Sequence, residues 1–125
     1  MRQVLENHKD ISYIIGNAVA ASVTADLMPG YLARHPRLKI LSIYINPDVY
    51  DAIVAKKIDA AVCDFPVRQG RYATSMLVQL LDDSKDIKSY PGPFRVGPLI
   101  EVISRDTIQN YQFEDIFGPR GYVFE

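Results

Sequence analysis

Few side chains in this sequence are placed to do chemistry, and they are scattered. The two histidines, His8 and His35, sit in a polar terminal stretch and beside Pro36. Neither has a companion at metal-ligand spacing, so both read as solvated imidazoles rather than zinc ligands. Two adjacent acid pairs, Asp82-Asp83 and Glu114-Asp115, belong to no catalytic motif and read as solvated turns. There is no G-x-G-x-x-G, no phosphate-binding P-loop, no G-x-S-x-G and no C-x-x-C. The single cysteine, Cys63, ends an apolar run, as a buried and inert thiol does. No cofactor and no catalytic activity are expected from these residues.

The remaining candidates are polar residues at the ends of apolar segments. In an open parallel sheet, ligands bind outside the carboxyl ends of the strands. Those ends here are Gly16-Asn17-Ala18, Asn46 and Asp64-Phe65. Gly16 lets the backbone turn closely, and the N–H groups near Ala20 to Ser22 could hold an anion without a charged side chain. The candidate ligand-binding residues are therefore Asn17, Ala18, Ser22, Asn46 and Asp64. A plainer reading stands beside this one: Ser22 is a helix-start residue and Asn46 a cap.

The elements that must position these residues centre on Leu38 to Pro66. Leu38–Ile45 is rich in β-branched and aromatic residues and predicts a strand. Asn46-Pro47 ends it: Asn46 can cap a helix, and Pro47 suits the first helical position. Asp48 and Asp51 suit the positive end of the helix dipole, and Lys56 and Lys57 the negative end. Val49, Ala52, Ile53 and Lys56 fall at helical spacing. Ile58 to Val62, running into Cys63-Asp64, predicts a second strand covered on both faces. Strand, helix and strand make a right-handed βαβ unit with a parallel pair.

Upstream, Met1 to Asp10 reads either as the tail of a helix or as a frayed terminus. Ile11–Ile15 predicts a strand ended by Gly16-Asn17. Val19, Val23, Leu27 and Tyr31 then recur every four residues, beside Ala20, Ala21, Met28 and Leu32, and predict an amphipathic helix. Pro29-Gly30 should kink or shorten it, and His35-Pro36 should end it. The order to Asp64 is β-α-β-α-β. Downstream, Pro66 to Tyr72 reads as a polar loop, and Thr74 to Asp82 is helix or strand without a decision from periodicity. Asp83 to Phe94 reads as a loop, Val96 to Ser104 as a strand with an edge start at Pro98, and Phe113 to Phe117 as one short helical turn.

The totals bound the class. The chain has 125 residues, enough for a single α/β domain over 1–125. Nearly half the residues are apolar and about a quarter charged, as in ordinary globular proteins. A formal net charge of −1 argues against duplex DNA binding by this stretch. One cysteine suits a reducing compartment, and no segment has the length of a membrane span or the pattern of a signal peptide. A cytoplasmic protein with no membrane partner is the expectation.

Certain motifs also resemble a known family. A strand–Gly–helix leading to Leu27-Met28-Pro29, then Leu32-Ala33-Arg34-His35-Pro36, a strand, a short helix and Lys56-Lys57-Ile58-Asp59-Ala60-Ala61-Val62 is similar to the effector-binding domain of LysR-type transcriptional regulators. His35-Pro36 stands for that family's tyrosine-proline. Ile100 to Asp106 followed by Phe113 to Ile116 looks like its strand leading to the crossover between lobes. Fewer residues separate the two prolines here than the family has, and Pro66 to Phe94 is longer than its connection.

The resemblance implies a type 2 periplasmic-binding-protein fold, a three-layer open sheet, with one lobe only. Residues 1–10 would be a linker remnant and 112–125 the start of a crossover to a second lobe. It implies a small-molecule sensing domain for an anionic metabolite, a homodimer, and DNA contact only through a domain absent from this chain. Asn17, Ala18 and Ser22 match the turn that the family uses for effector contacts, whereas Asn46 and Asp64 are carried over from strand-end position alone. The alternative is a solute-binding or interaction module of the same fold without a transcriptional role, and a third class is a small α/β enzyme. The dimer would use the Val19–Tyr31 helix, the Tyr122–Phe124 tail, or both.

Overall fold

A computed structural model describes residues 2–8, 10–27, 29–81 and 97–121. The elements are α1 (Arg2–Asn7), β1 (Tyr13–Gly16), α2 (Ala18–Leu27), α3 (Pro29–Arg34), β2 (Lys39–Ser42), α4 (Pro47–Val54), β3 (Ala60–Cys63), α5 (Pro66–Leu81), β4 (Glu101–Ser104), a 3₁₀ turn at Ile108–Asn110 and α6 (Phe113–Phe117). The expected β-α-β-α-β start is present. Contacts divide the chain into two compact units, Met1–Cys63 with Glu101–Asn110, and Asp64–Ile100 with Tyr111–Glu125.

The first unit is built on a sheet of order β1-β2-β3-β4. β1, β2 and β3 run parallel, with Gly16 beside Ser42 and Ser42 beside Ala61. β4 is antiparallel to β3, with Ala60 beside Ser104. Ile40, Ser42, Ala61, Cys63 and Ile103 alternate along the strands as buried positions. Their alternation with more exposed neighbours is the period of two expected of a half-covered sheet.

β2 is shorter than the Leu38–Ile45 reading. It ends at Ser42 because the buried Ser42 hydroxyl donates to the Tyr44 carbonyl at 2.5 Å, folding the chain back within two residues. α4 then starts as expected. Pro47 opens the helix, and the Val49 N–H donates to Asn46 Oδ1 at 2.9 Å. Val49, Tyr50 and Ile53 are its buried face. Lys56 lies past its end with φ of 58°, a left-handed conformation that usually falls to glycine.

α2 packs through its small residues. Its buried face is Ala18, Ala21, Thr24 and Ala25, which lets the helix lie close to β1, β2 and α4. Val19, Val23 and Leu27 point to solvent, at 68%, 48% and 65% exposure. Gly16 is what makes the approach possible, since a Cβ there would lie 3.0 Å from Ala20 Cβ. Pro29 opens the separate helix α3, dividing the helical run where the sequence placed its break. Tyr31 leaves the stripe: its ring stacks on His35 at 4.1 Å and its hydroxyl donates to the Leu5 carbonyl at 3.1 Å.

In the second unit, the segment read as a polar loop, Pro66 to Tyr72, forms about the first two turns of α5. The helix begins because proline again occupies the first helical position and the Gln69 N–H donates to the Phe65 carbonyl at 3.0 Å. Thr74 to Leu81 continues the same helix. Phe65 is fully buried, with the Arg68 guanidinium 4.1 Å from its ring centroid and the Tyr111 ring at 6.0 Å. α6 buries Phe113 and Ile116, and the Phe113 and Phe117 rings lie 4.9 Å apart. The Asp82-Asp83 pair, the loop to Phe94 and the Tyr122–Phe124 tail lie outside the described residues. The strand read from Val96 is regular only over Glu101–Ser104.

Candidate functional site

The carboxyl ends of the parallel strands place Gly16, Ser42 and Cys63 along one edge of the sheet. Asn17 and Ala18 follow Gly16 directly. Asn17 caps α2: the Ala20 N–H donates to its Oδ1 at 2.9 Å, and the Ala21 N–H to its carbonyl at the same distance. Ala18 is buried beneath the first turn. Two of the helix-start amides expected to hold an anion are thus already satisfied by Asn17.

Ser22 and Asn46 come together on another surface. Both line a groove of about 500 Å³ between α2 and α4, with Val19, Asp26, Asp48 and Lys57. The Ser22 Oγ is buried and has no hydrogen-bond partner. Asp51 also lines the groove, so three carboxylates face one ammonium, and Lys57 is itself bound to Asp26 at 2.9 Å. The field in this groove is negative. Asn46 Oδ1 serves as the cap of α4, which accounts for asparagine at this position.

Asp64 belongs to the second unit and lines a different cavity. That cavity measures about 930 Å³ and is walled by Gln69, Gly70, Met76, Pro98 and Ile100. The Asp64 carbonyl accepts from Gln69 Nε2 at 2.8 Å. Its side-chain Oδ1 is buried without a partner. Phe65, next in the chain, has φ of 52°, a strained angle for an aromatic residue. Strain at Phe65 and an unsatisfied carboxylate oxygen at Asp64 thus fall at adjacent residues, and Asp64 lines this cavity. Sequence reading reached Asp64 from its place at a strand end. It missed Gln69, because Pro66 to Tyr72 reads as loop until the helix is seen, and Met76, because periodicity leaves Thr74 to Asp82 undecided between helix and strand.

Among the described residues, no cluster of three or more His, Cys, Asp or Glu side chains could hold a metal ion. Among them, too, no helix is long and apolar enough to cross a membrane. The Cys63 side chain is buried, as its place in an apolar strand implies.

No protein-family model matches the sequence, and no curated protein is detectably similar. Solved structures do match. An ABC transporter solute-binding protein from Bradyrhizobium sp. BTAi1, determined with bound bis-tris, aligns with a TM-score of 0.79 at 29% identity, over 98% of this chain and 34% of that one. A chain of the TorS sensor domain–TorT complex, determined in the presence of TMAO, gives 0.74 at 23% identity, over 97% and 38%. GanP, a glucose-galactose binding protein from Geobacillus stearothermophilus, gives 0.62 at 21% identity, over 84% and 35%. The chain thus spans between 34% and 38% of the length of these solved proteins. Its α/β architecture, with parallel strands, crossover helices and an antiparallel fourth strand, is that of one lobe of a periplasmic solute-binding protein.

Proposed function

We propose that this chain is the ligand-binding lobe of a small-molecule binding protein, acting by recognition rather than catalysis. The observation that carries the reading is Asp64: a carboxylate oxygen buried without a partner, in a cavity of about 930 Å³, directly after a parallel strand. Leaving such an oxygen unpaired costs about 1–3 kcal/mol or more, which a ligand N–H or O–H would recover. The solute is therefore a small polar molecule rich in hydrogen-bond donors, neutral or cationic. The bis-tris bound by the Bradyrhizobium protein, an amine bearing several hydroxyls, has that chemistry. For the anionic metabolite of the sequence reading, the Gly16–Ala18 turn offers the remaining helix-start amides of α2.

Isothermal titration of the full chain with bis-tris tests this reading. Saturable binding is expected, weakened about tenfold in Asp64→Asn, which keeps the shape and removes the charge. Absence of binding in the unsubstituted protein, or equal binding by the variant, would sink it.

A second reading is favoured by a separate observation. The exposed stripe Val19, Val23 and Leu27 on α2 is suited to a homodimer, as the LysR resemblance implies. In that reading the chain is a cytoplasmic effector domain whose regulator contacts DNA through another domain. Whether the natural gene product carries a helix-turn-helix or an export signal upstream of Met1 separates the two readings.

A further inference from the structure

The first unit has a pocket that its strand ends do not explain. It lies at the edge of the sheet opposite Gly16 and Cys63, where β2 begins, β3 begins and the antiparallel β4 ends. Leu38 and Ile40, both buried, line it, and Ala25, Pro29, Leu32 and Pro36 add further apolar surface. Lys56, Lys57, Arg105, Asp26 and Asp59 supply the charge. The volume of about 370 Å³ lies at the small end of ligand pockets.

We propose that this pocket is a second small-molecule site, and that its ligand is a monocarboxylate with a compact apolar body. The charge balance decides the sign. Asp26 is taken by Lys57 at 2.9 Å. Asp59 is taken by Lys39 and Arg105, each at 3.2 Å. Three lining cations, Lys56, Lys57 and Arg105, thus meet two carboxylates, both already engaged. Lys56 has no ion-pair partner among the described residues. Its backbone is fixed in the left-handed conformation and its N–H is bonded to the Ile53 carbonyl at 2.9 Å, so the side chain starts from a held position. A carboxylate beside Lys56 gains a charge-assisted hydrogen bond, while the rest of the ligand covers the Leu38 and Ile40 floor. An uncharged molecule of the same shape gains only the second part.

The inference does not depend on Asp64, which lies in the other unit and lines another cavity. The test titrates the full chain with sodium benzoate and with its uncharged counterpart benzamide. Saturable benzoate binding is expected, with benzamide about tenfold weaker or more. Lys56→Gln should weaken benzoate about tenfold. Lys56→Gly should do the same without lowering folded stability, because glycine accepts the left-handed angle at no cost. The proposal is overturned if benzoate does not saturate, if benzamide binds equally, or if Lys56→Gln binds benzoate as the unsubstituted protein does. Displacement of benzoate by bis-tris would mean that the acid had entered the Asp64 cavity, and would overturn it as well.

Discussion

Arg105 holds Asp59 from the neighbouring chain segment, just past the paired ends of β3 and β4: its Nη1 lies 3.2 Å from Asp59 Oδ1, while its Nε donates to the Ile58 carbonyl at 3.0 Å. The same carboxylate receives Lys39 at 3.2 Å and the Ile40 N–H at 2.8 Å. One side chain, at 12% exposure, thus ties together β2, β3 and β4 where the strands begin or end. Asp59→Ala should cost about 3 kcal/mol, since it leaves an amide and a guanidinium with unmatched donors. Arg105→Lys keeps the charge but loses the two-pronged geometry, and should cost about 1 kcal/mol. Urea titration of both variants checks the ordering, and an equal loss in the two would refute it.

Ile53 is completely buried on α4. Truncating it leaves a cavity under a helix anchored by a proline start and an Asn46 cap, so the site has little room to collapse. Ile53→Ala is expected to destabilise by about 2–5 kcal/mol. A shift in urea midpoint at unchanged slope is the expected signature.

The two asparagine caps should behave alike. Asn17→Ala and Asn46→Ala each remove an accepted amide hydrogen bond of 2.9 Å at a helix start. Each should cost about 1 kcal/mol, and serine at either position should recover most of it. If Asn17→Ala alters ligand binding without changing the thermal midpoint, Asn17 is a ligand contact rather than a cap.

Ser22 offers the opposite sign. Its hydroxyl oxygen is buried and unpaired. Ser22→Ala removes that unpaired group and should raise stability by about 1 kcal/mol. Thermal denaturation reads this directly, and a loss of stability would mean that the hydroxyl has a partner in solution.

Assembly is decided by light scattering at micromolar concentration. The α2 stripe predicts a dimer that Val19→Asp together with Leu27→Asp converts to monomer, since two carboxylates would face their own symmetry mates. A mass near 14.1 kDa for the unsubstituted protein, unchanged on dilution, would refute it. A dimer that persists after removal of residues 121–125 would assign the interface to α2.

The sequence carried the elements whose cause is local. Asn46-Pro47 announces a helix start because capping and a proline at the first position act within four residues. The apolar run into Cys63 announces a strand for the same reason, and Gly16 a close turn. The break at Pro29 follows from the missing N–H of one residue. These features held in the structure. The α/β order up to Asp64, and hence the lobe architecture, followed from them.

Other features had causes distant in the chain. Periodicity marked the α2 stripe of Val19, Val23 and Leu27 but could not say which face turns inward. The helix lies close to β1 and β2, and only alanine and threonine fit in that gap, so the larger residues are left outside. Pro66 to Tyr72 reads as a loop because its polar residues have no apolar face of their own, yet it is the start of α5. Asp64 was legible as a strand-end residue, but its unpaired oxygen was not, since satisfaction of a buried group depends on every neighbour in space. The pairing of Asp59 with Arg105 spans a gap in sequence that no local pattern records, and only the antiparallel return of β4 brings the two charges together.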